Sequence, residues 1–340
     1  MTRRPLPALD EVLAAARVVA IPTRTRFRGV SVREAVIFDA PQGASEFSPF
    51  VEYDVPEAAA WLAGALDFGW QTQPPLLRES IEINATVPAV EPGAVPGILA
   101  HFPGCRTAKV KVAERGQDLA ADIARVRAVR KAMGPDALVR IDANGGWTVE
   151  HAVSALRALA DFDLDYAEQP CMTVPELVSV REALDGSASP VRIAADESVR
   201  KADDPLAVAR SGAADLLILK AQPLGGIPRA LNIVARAGLP VVVSSALDTS
   251  AGIAMGLHLA AALPSGVLAG ACGLGTVALL DGDVTTDSLV PVDGALTVRR
   301  PPLNPKLLQQ HRAAPAREAW WVERIRRCYA ELEQRADSEA

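Results

Sequence analysis

Short apolar runs alternate with longer amphipathic segments through most of the chain after residue 82. We read eight of these runs as strands: INATVPAV (83–90), AKVKVA (108–113), ALVRIDA (137–143), LDYAEQ (164–169), VRIAAD (191–196), DLLILKA (215–221), PVVVSSA (240–246) and VLAGAC (267–272). Segment 118–134 repeats apolar residues at the helical period and ends in glycine, as a connecting helix does. Eight strands alternating with helices predict an α/β fold of the (β/α)8, TIM-like barrel type. A doubly wound sheet is the competing fold, but no GxGxxG motif follows the first strand.

The first 82 residues follow a different pattern. Segments 25–40 and 45–54 alternate apolar and polar positions in the way antiparallel strands do. Segment 55–70, VPEAAAWLAGALDFGW, has the pattern of a helix that precedes the barrel. Together these segments predict a separate α+β domain at the N-terminus.

The end of the chain forms a third part. Segment 317–336 is a charged amphipathic stretch that contains Trp320 and Trp321, and it predicts a helix. We expect this helix to pack back against the barrel or against the N-terminal domain. The predicted organisation is therefore an α+β domain, a barrel and a returning C-terminal segment, with the bounds 1–82, 83–300 and 301–340.

Charged side chains interrupt the apolar runs near their carboxyl ends. They are the acids Asp142, Glu168 and Asp196 and the lysines Lys109, Lys111 and Lys220. Burying an unpaired charge is costly, so a buried strand carries one only where a partner or a function compensates for it. Because the catalytic groups of a barrel gather at the carboxyl ends of its strands, the fold would bring all six residues around one mouth.

The chemistry of this set predicts a metal site between two bases. Three converging carboxylates repel each other unless a cation neutralises them, and an all-oxygen ligand set suits Mg²⁺ better than Zn²⁺. Such an ion can hold a substrate carboxylate and stabilise the charge that develops when a base removes the neighbouring proton. Lys109 and the ion would lower the pKa of Lys111, so that Lys111 acts as a neutral base. Lys220 would approach the substrate from the opposite face.

Each of these residues also has a structural explanation when it is taken alone. Asp142 would serve as a cap or turn residue, and residues 196–198 as the start of a helix. Lys109 and Lys111 would line a solvated strand edge. Their joint occurrence, in order, at successive strand ends favours the functional interpretation.

Composition and charge exclude several classes of protein. The net charge of −6 argues against a nucleic-acid partner, and the N-terminus lacks the apolar stretch of a secretory signal. Segment 249–280 has no charged residue and would be long enough to span a membrane, but six glycines and Pro264 favour a helix, a turn and a buried strand. The four cysteines form no CxxC pair, which indicates reduced thiols in a cytoplasmic protein. The four histidines have no spacing that suggests zinc.

The charged residues form motifs that resemble those of the enolase superfamily, in its muconate-lactonizing-enzyme subgroup. That subgroup carries K-x-K on the second barrel strand, D-x-N on the third, E-x-P on the fourth, D-E on the fifth and a lysine on the sixth. The chain has the matching residues in this order: Lys109-Val-Lys111, Asp142-Ala-Asn144, Glu168-Gln-Pro170, Asp196-Glu197 and Lys220. The resemblance covers essentially the whole chain. It implies a TIM-like barrel with an N-terminal α+β capping domain that the C-terminal segment completes.

The resemblance also implies a role for each motif residue. The implied metal ligands are Asp142, Glu168 and Asp196, the acid/base pair is Lys111 and Lys220, and the supporting residues are Lys109, Asn144 and Glu197. The implied ion is Mg²⁺, with Mn²⁺ as a substitute.

Within the subgroup, four segments are most similar to the o-succinylbenzoate synthase family of the actinobacterial type. They are TRTRFRG (23–29), INATVPA (83–89), PVVVSSALDTSAG (240–252) and GACGLGT (270–276). That family dehydrates a cyclohexadiene carboxylate bearing a succinyl chain, in menaquinone synthesis, so the resemblance implies a carbon–oxygen lyase with a small dicarboxylate substrate. Lys111 would remove the proton α to the ring carboxylate and then help hydroxide to leave as water, while Lys220 would stabilise the enediolate by its charge. Arg24, Arg26 and Arg28 either supply positive charge for the substrate or form an ordinary solvated face.

Related activities share the whole metal and lysine set. An N-succinylamino acid racemase would use Lys111 and Lys220 as two opposed bases. A dipeptide epimerase normally carries Asp-x-Asp on the eighth strand, and a muconate cycloisomerase often carries a glutamate nearby, whereas this chain has AGACGLGT (269–276) without an acid. A barrel that only binds ligands is the alternative outside enzymes, although no motif residue is missing.

Overall fold

The structure is a computed structural model that describes residues 5–27, 29–186, 191–200 and 204–338 of the 340-residue chain. The strands are β1 (Ala16–Phe27), β2 (Val30–Phe38), β3 (Ser45–Phe47), β4 (Ser80–Glu82), β5 (Ala85–Val87), β6 (Thr107–Lys111), β7 (Leu138–Asp142), β8 (Leu164–Glu168), β9 (Arg192–Ala195), β10 (Leu216–Leu219), β11 (Val241–Val243) and β12 (Ala295–Thr297). The helices are α1 (Leu9–Ala15), α2 (Val55–Trp70), α3 (Val95–Leu99), α4 (Leu119–Met133), α5 (Val149–Ala158), α6 (Val174–Leu184), α7 (Glu197–Arg200), α8 (Ala207–Ser211), α9 (Ile227–Ala237), α10 (Ser250–Ala262), α11 (Pro305–Gln310) and α12 (Pro315–Ser338).

The N-terminal region is an antiparallel sheet in the order β1-β2-β3, with helix α2 packed beside β3. The alternating pattern of this region predicts such a sheet, although β3 is shorter than the predicted segment 45–54. Helix α2 covers the predicted residues 55–70. It begins after Asp54, whose carboxylate accepts a hydrogen bond from the backbone nitrogen of Glu57 at 2.9 Å and so caps the helix.

Seven parallel strands form the barrel sheet in the order β5-β6-β7-β8-β9-β10-β11. Strands that are consecutive in the chain are neighbours in the sheet, which is the order of a (β/α)8 barrel. The eighth predicted strand, 267–272, does not form a continuous ladder. Three isolated parallel bridges join residues 268–273 to β11 and the residue after it on one side, and to Ile83, which precedes β5, on the other: Val241 with Leu268, Ser244 with Gly273, and Ile83 with Cys272. Gly270, with a φ of +89°, interrupts the extended backbone between these bridges.

The helices around the barrel follow from local signals in the sequence. The Asp118 carboxylate accepts a hydrogen bond from Ala121 N at 2.9 Å at the start of α4, and Gly134, with a φ of +86°, ends this helix. Thr173 and Glu176 form a reciprocal capping box at the start of α6. These caps fix where each helix leaves and rejoins the sheet.

The C-terminal helix α12 packs against α2 of the N-terminal region. Trp321 is fully buried, and its ring centroid lies 5.8 Å from that of Phe47 in an edge-to-face arrangement. Ile325 and Cys328 continue the same buried face. The sequence left two surfaces open for this helix, the barrel and the N-terminal domain. In the structure it packs against the N-terminal region.

The uncharged segment 249–280 contains the buried helix α10, as its pattern predicts. Within the described residues, we find no helix with the length and apolar character needed to cross a membrane. Cys171, Cys272 and Cys328 are buried free thiols, and Cys105 is a partly buried one. Cys272 lies in the main hydrophobic core, as predicted.

Candidate active site

The six charged residues singled out in the sequence come to the carboxyl ends of five consecutive barrel strands. Lys109 and Lys111 lie on β6, Asp142 ends β7, Glu168 ends β8, Asp196 follows β9 and Lys220 follows β10. Lys111 pairs in register with Asp142, which pairs in turn with Glu168. This register places the three residues at one level of the mouth, because laterally paired residues of parallel strands point to the same side.

All six side chains are buried, and their charges are compensated within the site. Lys109 Nζ donates to both oxygens of Glu168, at 3.1 and 3.0 Å, and lies 3.2 Å from Asp142 Oδ2. Lys111 Nζ donates to Asp142 Oδ2 at 2.5 Å and to Asn144 Oδ1 at 2.7 Å. The predicted supporting residues Lys109 and Asn144 therefore contact the predicted base and ligands directly.

On the other side of the mouth, Lys220 forms an ion pair with Asp196. Arg200, four residues after Asp196, donates from Nε to Asp196 Oδ1 at 3.2 Å and from Nη2 to Glu197 Oε1 at 2.7 Å. Glu197 also accepts a hydrogen bond from Asn144 Nδ2 at 3.3 Å, which links the third and fifth barrel strands. The sequence reasoning missed Arg200, and its i+4 spacing from a buried acid is the signal that would have identified it.

Gln169 is a second residue that the sequence reasoning missed. Its Oε1 accepts hydrogen bonds from the backbone nitrogens of Asp196 at 2.9 Å and Ser198 at 3.2 Å, and its Nε2 donates to Ser198 Oγ at 2.7 Å. Gln169 and Asn144 both have a positive φ, at +41° and +47°, which is unusual for residues other than glycine. Strained backbone of this kind concentrates at functional sites, so these two positions also mark the mouth.

Burial and the neighbouring charges shift the pKa of each of the three acids. Burial favours the neutral form of Asp142, but the ammonium groups of Lys111 and Lys109 hold its pKa well below the usual range. Burial opposes the ionisation of Asp196 in the same way, and Lys220 and Arg200 lower its pKa below the usual range. For Glu168, burial and the neighbouring Asp142 carboxylate raise the pKa to about 7, although Lys109 opposes this shift.

A pocket opens over these charges at the barrel mouth. Besides the charged residues, its wall includes hydroxyl and aromatic side chains that the sequence reasoning did not single out: Phe27, Thr86, Ser244, Ser245 and Thr276. The Phe27 ring centroid lies 5.3 Å from Lys111 Nζ, and Ser245 Oγ lies 2.8 Å from Thr276 Oγ1. The polar groups that β11 and the eighth barrel segment contribute to this wall are therefore neutral, as the acid-free sequence there suggests.

The donor set fits a divalent cation in its chemistry. Three buried carboxylates on neighbouring strands supply the hard oxygen atoms that Mg²⁺ or Mn²⁺ prefers. Across the parts of the chain that the structure describes, no three acidic, histidine or cysteine side chains are already gathered as metal ligands. Each of the three acids forms an ion pair with a lysine.

Two of the three arginines of the early loop can be placed. Arg24 and Arg26 are exposed, and Arg24 forms an ion pair with Asp281 at 3.2 Å on the surface. Arg28 lies outside the described residues. For Arg24 and Arg26 the structure thus agrees with a solvated face rather than with a lining of the pocket.

Comparison with known proteins agrees with this architecture. Residues 18–69 match the family described as enolase N-terminal domain-like, and residues 100–302 match the family described as enolase C-terminal domain-like. Among solved structures, 2-chloromuconate cycloisomerase from Rhodococcus opacus has a TM-score of 0.73 at 21% identity, covering 88% of this chain and 98% of that protein. The muconate lactonizing enzyme from Pseudomonas fluorescens has a TM-score of 0.73 at 20% identity, with the same coverage. These two similarities support the barrel and its capping domain.

Two relatives match at much higher identity. The o-succinylbenzoate synthase of Mycolicibacterium smegmatis is 53% identical over 326 residues, which cover 96% of this chain and 98% of the relative. The o-succinylbenzoate synthase of Mycobacterium tuberculosis is 52% identical over 328 residues, which cover 96% and 97%. With its two matching domains and these near full-length relatives, the chain belongs to the enolase superfamily.

Proposed function

We propose that the chain is an o-succinylbenzoate synthase, a carbon–oxygen lyase of menaquinone biosynthesis. It would dehydrate 2-succinyl-6-hydroxy-2,4-cyclohexadiene-1-carboxylate to 2-succinylbenzoate. The main support is the near full-length identity of 53% to a protein of that name, together with a complete set of lysines and acids at the barrel mouth. We place the reaction in the cytoplasm, where the four free thiols would stay reduced.

Asp142, Glu168 and Asp196 would hold a divalent metal ion, with Mg²⁺ as the proposed ion and Mn²⁺ as a substitute. The ion would neutralise negative charge on the substrate carboxylate as the α-proton leaves. The dipeptide epimerase of Enterococcus faecalis, solved with Mg and a dipeptide, shares the fold with a TM-score of 0.69 at 23% identity. Lys109, Asn144 and Glu197 would support this site through the contacts described above.

Lys111 would carry both proton transfers of the dehydration. In its neutral form it takes the proton from the ring carbon α to the carboxylate, which leaves an enediolate. The resulting ammonium then donates this proton to the departing hydroxyl group, the C–O bond breaks, water leaves and the ring becomes aromatic. Lys111 thus returns to its neutral form, as general acid–base catalysis by one residue requires. The Asn144 amide, 2.7 Å from Nζ, would keep the side chain oriented.

Lys220 would stabilise the enediolate through its positive charge. In the structure it is held by Asp196, so its ammonium is fixed at the edge of the pocket. Preorganised charge of this kind stabilises a developing anion without reorganisation at the moment of reaction.

The charge balance of the mouth suits a dianionic substrate. Four basic residues (Lys109, Lys111, Arg200 and Lys220) lie among four acidic residues (Asp142, Glu168, Asp196 and Glu197) at the mouth. A divalent ion would add two positive charges that offset the two carboxylates of the substrate. The hydroxyl-rich wall near Ser245 and Thr276 adds no acid that would repel the second carboxylate.

The decisive experiment follows the loss of absorbance of the cyclohexadiene substrate in the presence of Mg²⁺. We expect the wild-type protein to be at least about 10³-fold faster than the Lys111→Ala variant, the contribution of a positioned general base. Lys131→Ala, which removes an exposed lysine on α4, is the matched control and should keep full activity. A wild-type rate no higher than that of Lys111→Ala would refute the proposal.

Racemisation of N-succinylamino acids is a second candidate activity. It is favoured by one observation, since Lys111 on β6 and Lys220 after β10 line the same pocket, and these two strands are four positions apart in the sheet. Exchange of the Cα proton for deuterium in N-succinylamino acids would reveal this activity. If both lysines act as bases, exchange of each enantiomer should depend on a different lysine.

A further inference from the structure

The capping sheet reaches the barrel through two buried charged residues that the proposed reaction does not use. Arg33 on β2 is 3% exposed, and Glu46 on β3 is fully buried. Both contact segment 244–249, which connects β11 to α10. This segment begins with Ser244 and Ser245, two residues of the pocket wall.

Glu46 binds the amino end of α10. Its Oε2 accepts hydrogen bonds from the backbone nitrogens of Thr249 at 3.0 Å and Gly252 at 3.1 Å, and from Thr249 Oγ1 at 2.5 Å. Its Oε1 accepts from Ser48 Oγ at 2.6 Å. The Glu46 side chain supplies an acceptor where it is needed, because the first backbone N–H groups of a helix lack partners within the helix.

Gly252 permits the close approach of Glu46. A Cβ atom at this position would lie 2.9 Å from the Glu46 carboxyl carbon and 2.8 Å from the Asp248 side chain. Real Cβ atoms do not tolerate contacts of this length, so any larger residue would push the carboxylate away from the helix. Gly252 of the barrel thus leaves the space that the Glu46 side chain of the capping sheet occupies.

Arg33 holds the middle of the same segment. Its Nε donates to the backbone oxygen of Leu247 at 3.1 Å, and its guanidinium lies 3.9 Å from Asp248 Oδ1. Leu247 has a φ of +65°, an uncommon conformation for a residue with a side chain. Such a conformation persists only where the surroundings enforce it, and Arg33 provides that constraint from the other domain.

The same part of the capping sheet also holds the loop that carries Lys220. The backbone nitrogen of Ser48 donates to Gln222 Oε1 at 3.3 Å, and Gln222 is two residues after Lys220. The capping region therefore contacts two consecutive barrel loops, the one after β10 and the one after β11. Both loops line the pocket, on the side away from Asp142.

We propose that Arg33 and Glu46, which we call the cap clasp, are positioning residues for substrate binding. They hold segment 244–249 in the conformation that presents Ser244 and Ser245 to the pocket. The identity of this substrate rests on the proposed function. Because the metal-binding carboxylates lie on other strands, loss of the clasp weakens substrate binding and leaves metal binding unchanged.

The test compares Glu46→Ala with Glu46→Gln in the full-length protein. In Glu46→Ala we expect KM for the cyclohexadiene substrate to rise by about tenfold, because the hydrogen bonds from Thr249 and Gly252 to Glu46 are lost. The Mg²⁺ concentration for half-maximal activity should stay unchanged. Amide hydrogen exchange should accelerate in segment 244–252. Glu46→Gln should restore most of both properties, because its amide oxygen can still accept hydrogen bonds from Thr249 and Gly252.

Glu34→Gln is the matched control, because Glu34 lies on the same strand as Arg33 and forms an ion pair on another surface. Its carboxylate binds Arg317 at 2.6 Å and accepts from Trp321 Nε1 at 2.8 Å, both on α12. This variant should lower the melting temperature without changing KM or the exchange of segment 244–252.

An unchanged KM and unchanged amide hydrogen exchange in Glu46→Ala would refute the positioning role of the cap clasp. If Glu46→Ala does not fold, Arg33→Lys keeps the positive charge but removes the Nε donor to the Leu247 backbone oxygen, and the same two readouts decide. An inactive wild-type protein would refute the proposed function alone, since the exchange measurement needs no substrate and still tests the clasp.

Discussion

Lys109 donates to both carboxylate oxygens of Glu168, although strand β7 lies between the two strands that carry these residues. Lys109 also lies 3.2 Å from Asp142, the acid on the intervening strand. Burial alone would lower the pKa of Lys109, but Glu168 and Asp142 together raise it above its usual value. Lys109 therefore offsets the repulsion between two buried acids.

Replacing Lys109 should make the protein depend on its metal ion. In Lys109→Met, Glu168 and Asp142 lose a shared counter-ion, and we expect the metal-free protein to lose about 3–5 kcal/mol of stability. A divalent ion restores positive charge between these acids, so Mg²⁺ should raise the melting temperature more in the variant than in the wild-type protein. Equal increments on adding Mg²⁺, measured by differential scanning calorimetry, would contradict this role.

Removing one proposed ligand should weaken metal binding. Asp196→Asn keeps the shape of the side chain but removes the negative charge, so we expect affinity for Mg²⁺ or Mn²⁺ to fall by at least about tenfold. Isothermal titration calorimetry measures this change directly. Asp215→Asn serves as the control, because Asp215 precedes the next strand and forms an ion pair with Arg181 away from the mouth. Equal loss of affinity in both variants would point to a general structural effect.

An acid introduced into the eighth barrel segment should repel the proposed substrate. Thr276 lines the pocket, so Thr276→Glu would place a negative charge near a dianion at low effective dielectric constant. We expect KM to rise by about tenfold or more, which corresponds to about 1.4 kcal/mol of repulsion. Thr276→Gln has nearly the same volume without the charge and separates repulsion from crowding. Equal KM values for the two variants in steady-state kinetics would show that charge is not the cause.

Glu46 should give the folded protein a measurable dependence on pH. Burial and the Asp248 carboxylate raise the pKa of Glu46 to about 7, and Arg33 opposes this shift. The stabilisation linked to the protonated carboxyl is complete below its usual pKa of 4.5 and is lost as pH rises through about 7.

Glu46→Gln cannot ionise and should lack this contribution. Its melting temperature relative to the wild-type protein should therefore rise between pH 5 and pH 8, as measured by thermal unfolding in the absence of metal. Parallel pH profiles for the two proteins would mean that Glu46 titrates near its usual value.

Most barrel elements could be predicted from the sequence because their signals are local. The periodicity of segment 118–134 matches α4 to within a residue at each end. The eighth strand was predicted over 267–272, but the structure has only isolated bridges there, because a glycine with positive φ breaks the extended conformation. The division at residues 82 and 300 stays a prediction, as does the lowering of the pKa of Lys111 by Lys109.

The candidate site could be predicted in its members but not in its contacts. The motifs locate the acids and lysines, and the order of the strands brings them to one mouth. Which lysine neutralises which acid depends on the stagger between neighbouring strands, which periodicity does not encode. Gln169 was missed for a related reason, since its role is to join two strand ends that meet only in the folded barrel.

The sequence by itself determined the alternation of strands and helices and the position of each charged residue at a strand end, because both depend on neighbours in the chain. Only the tertiary structure decided that α12 packs on the capping region, that Arg200 completes the site and that Glu46 holds the start of α10. Glu46 and Thr249 are 203 positions apart in the chain. A contact over that separation exists only once the capping sheet has docked on the barrel, because docking is what buries the carboxylate and brings its hydrogen-bond donors within reach.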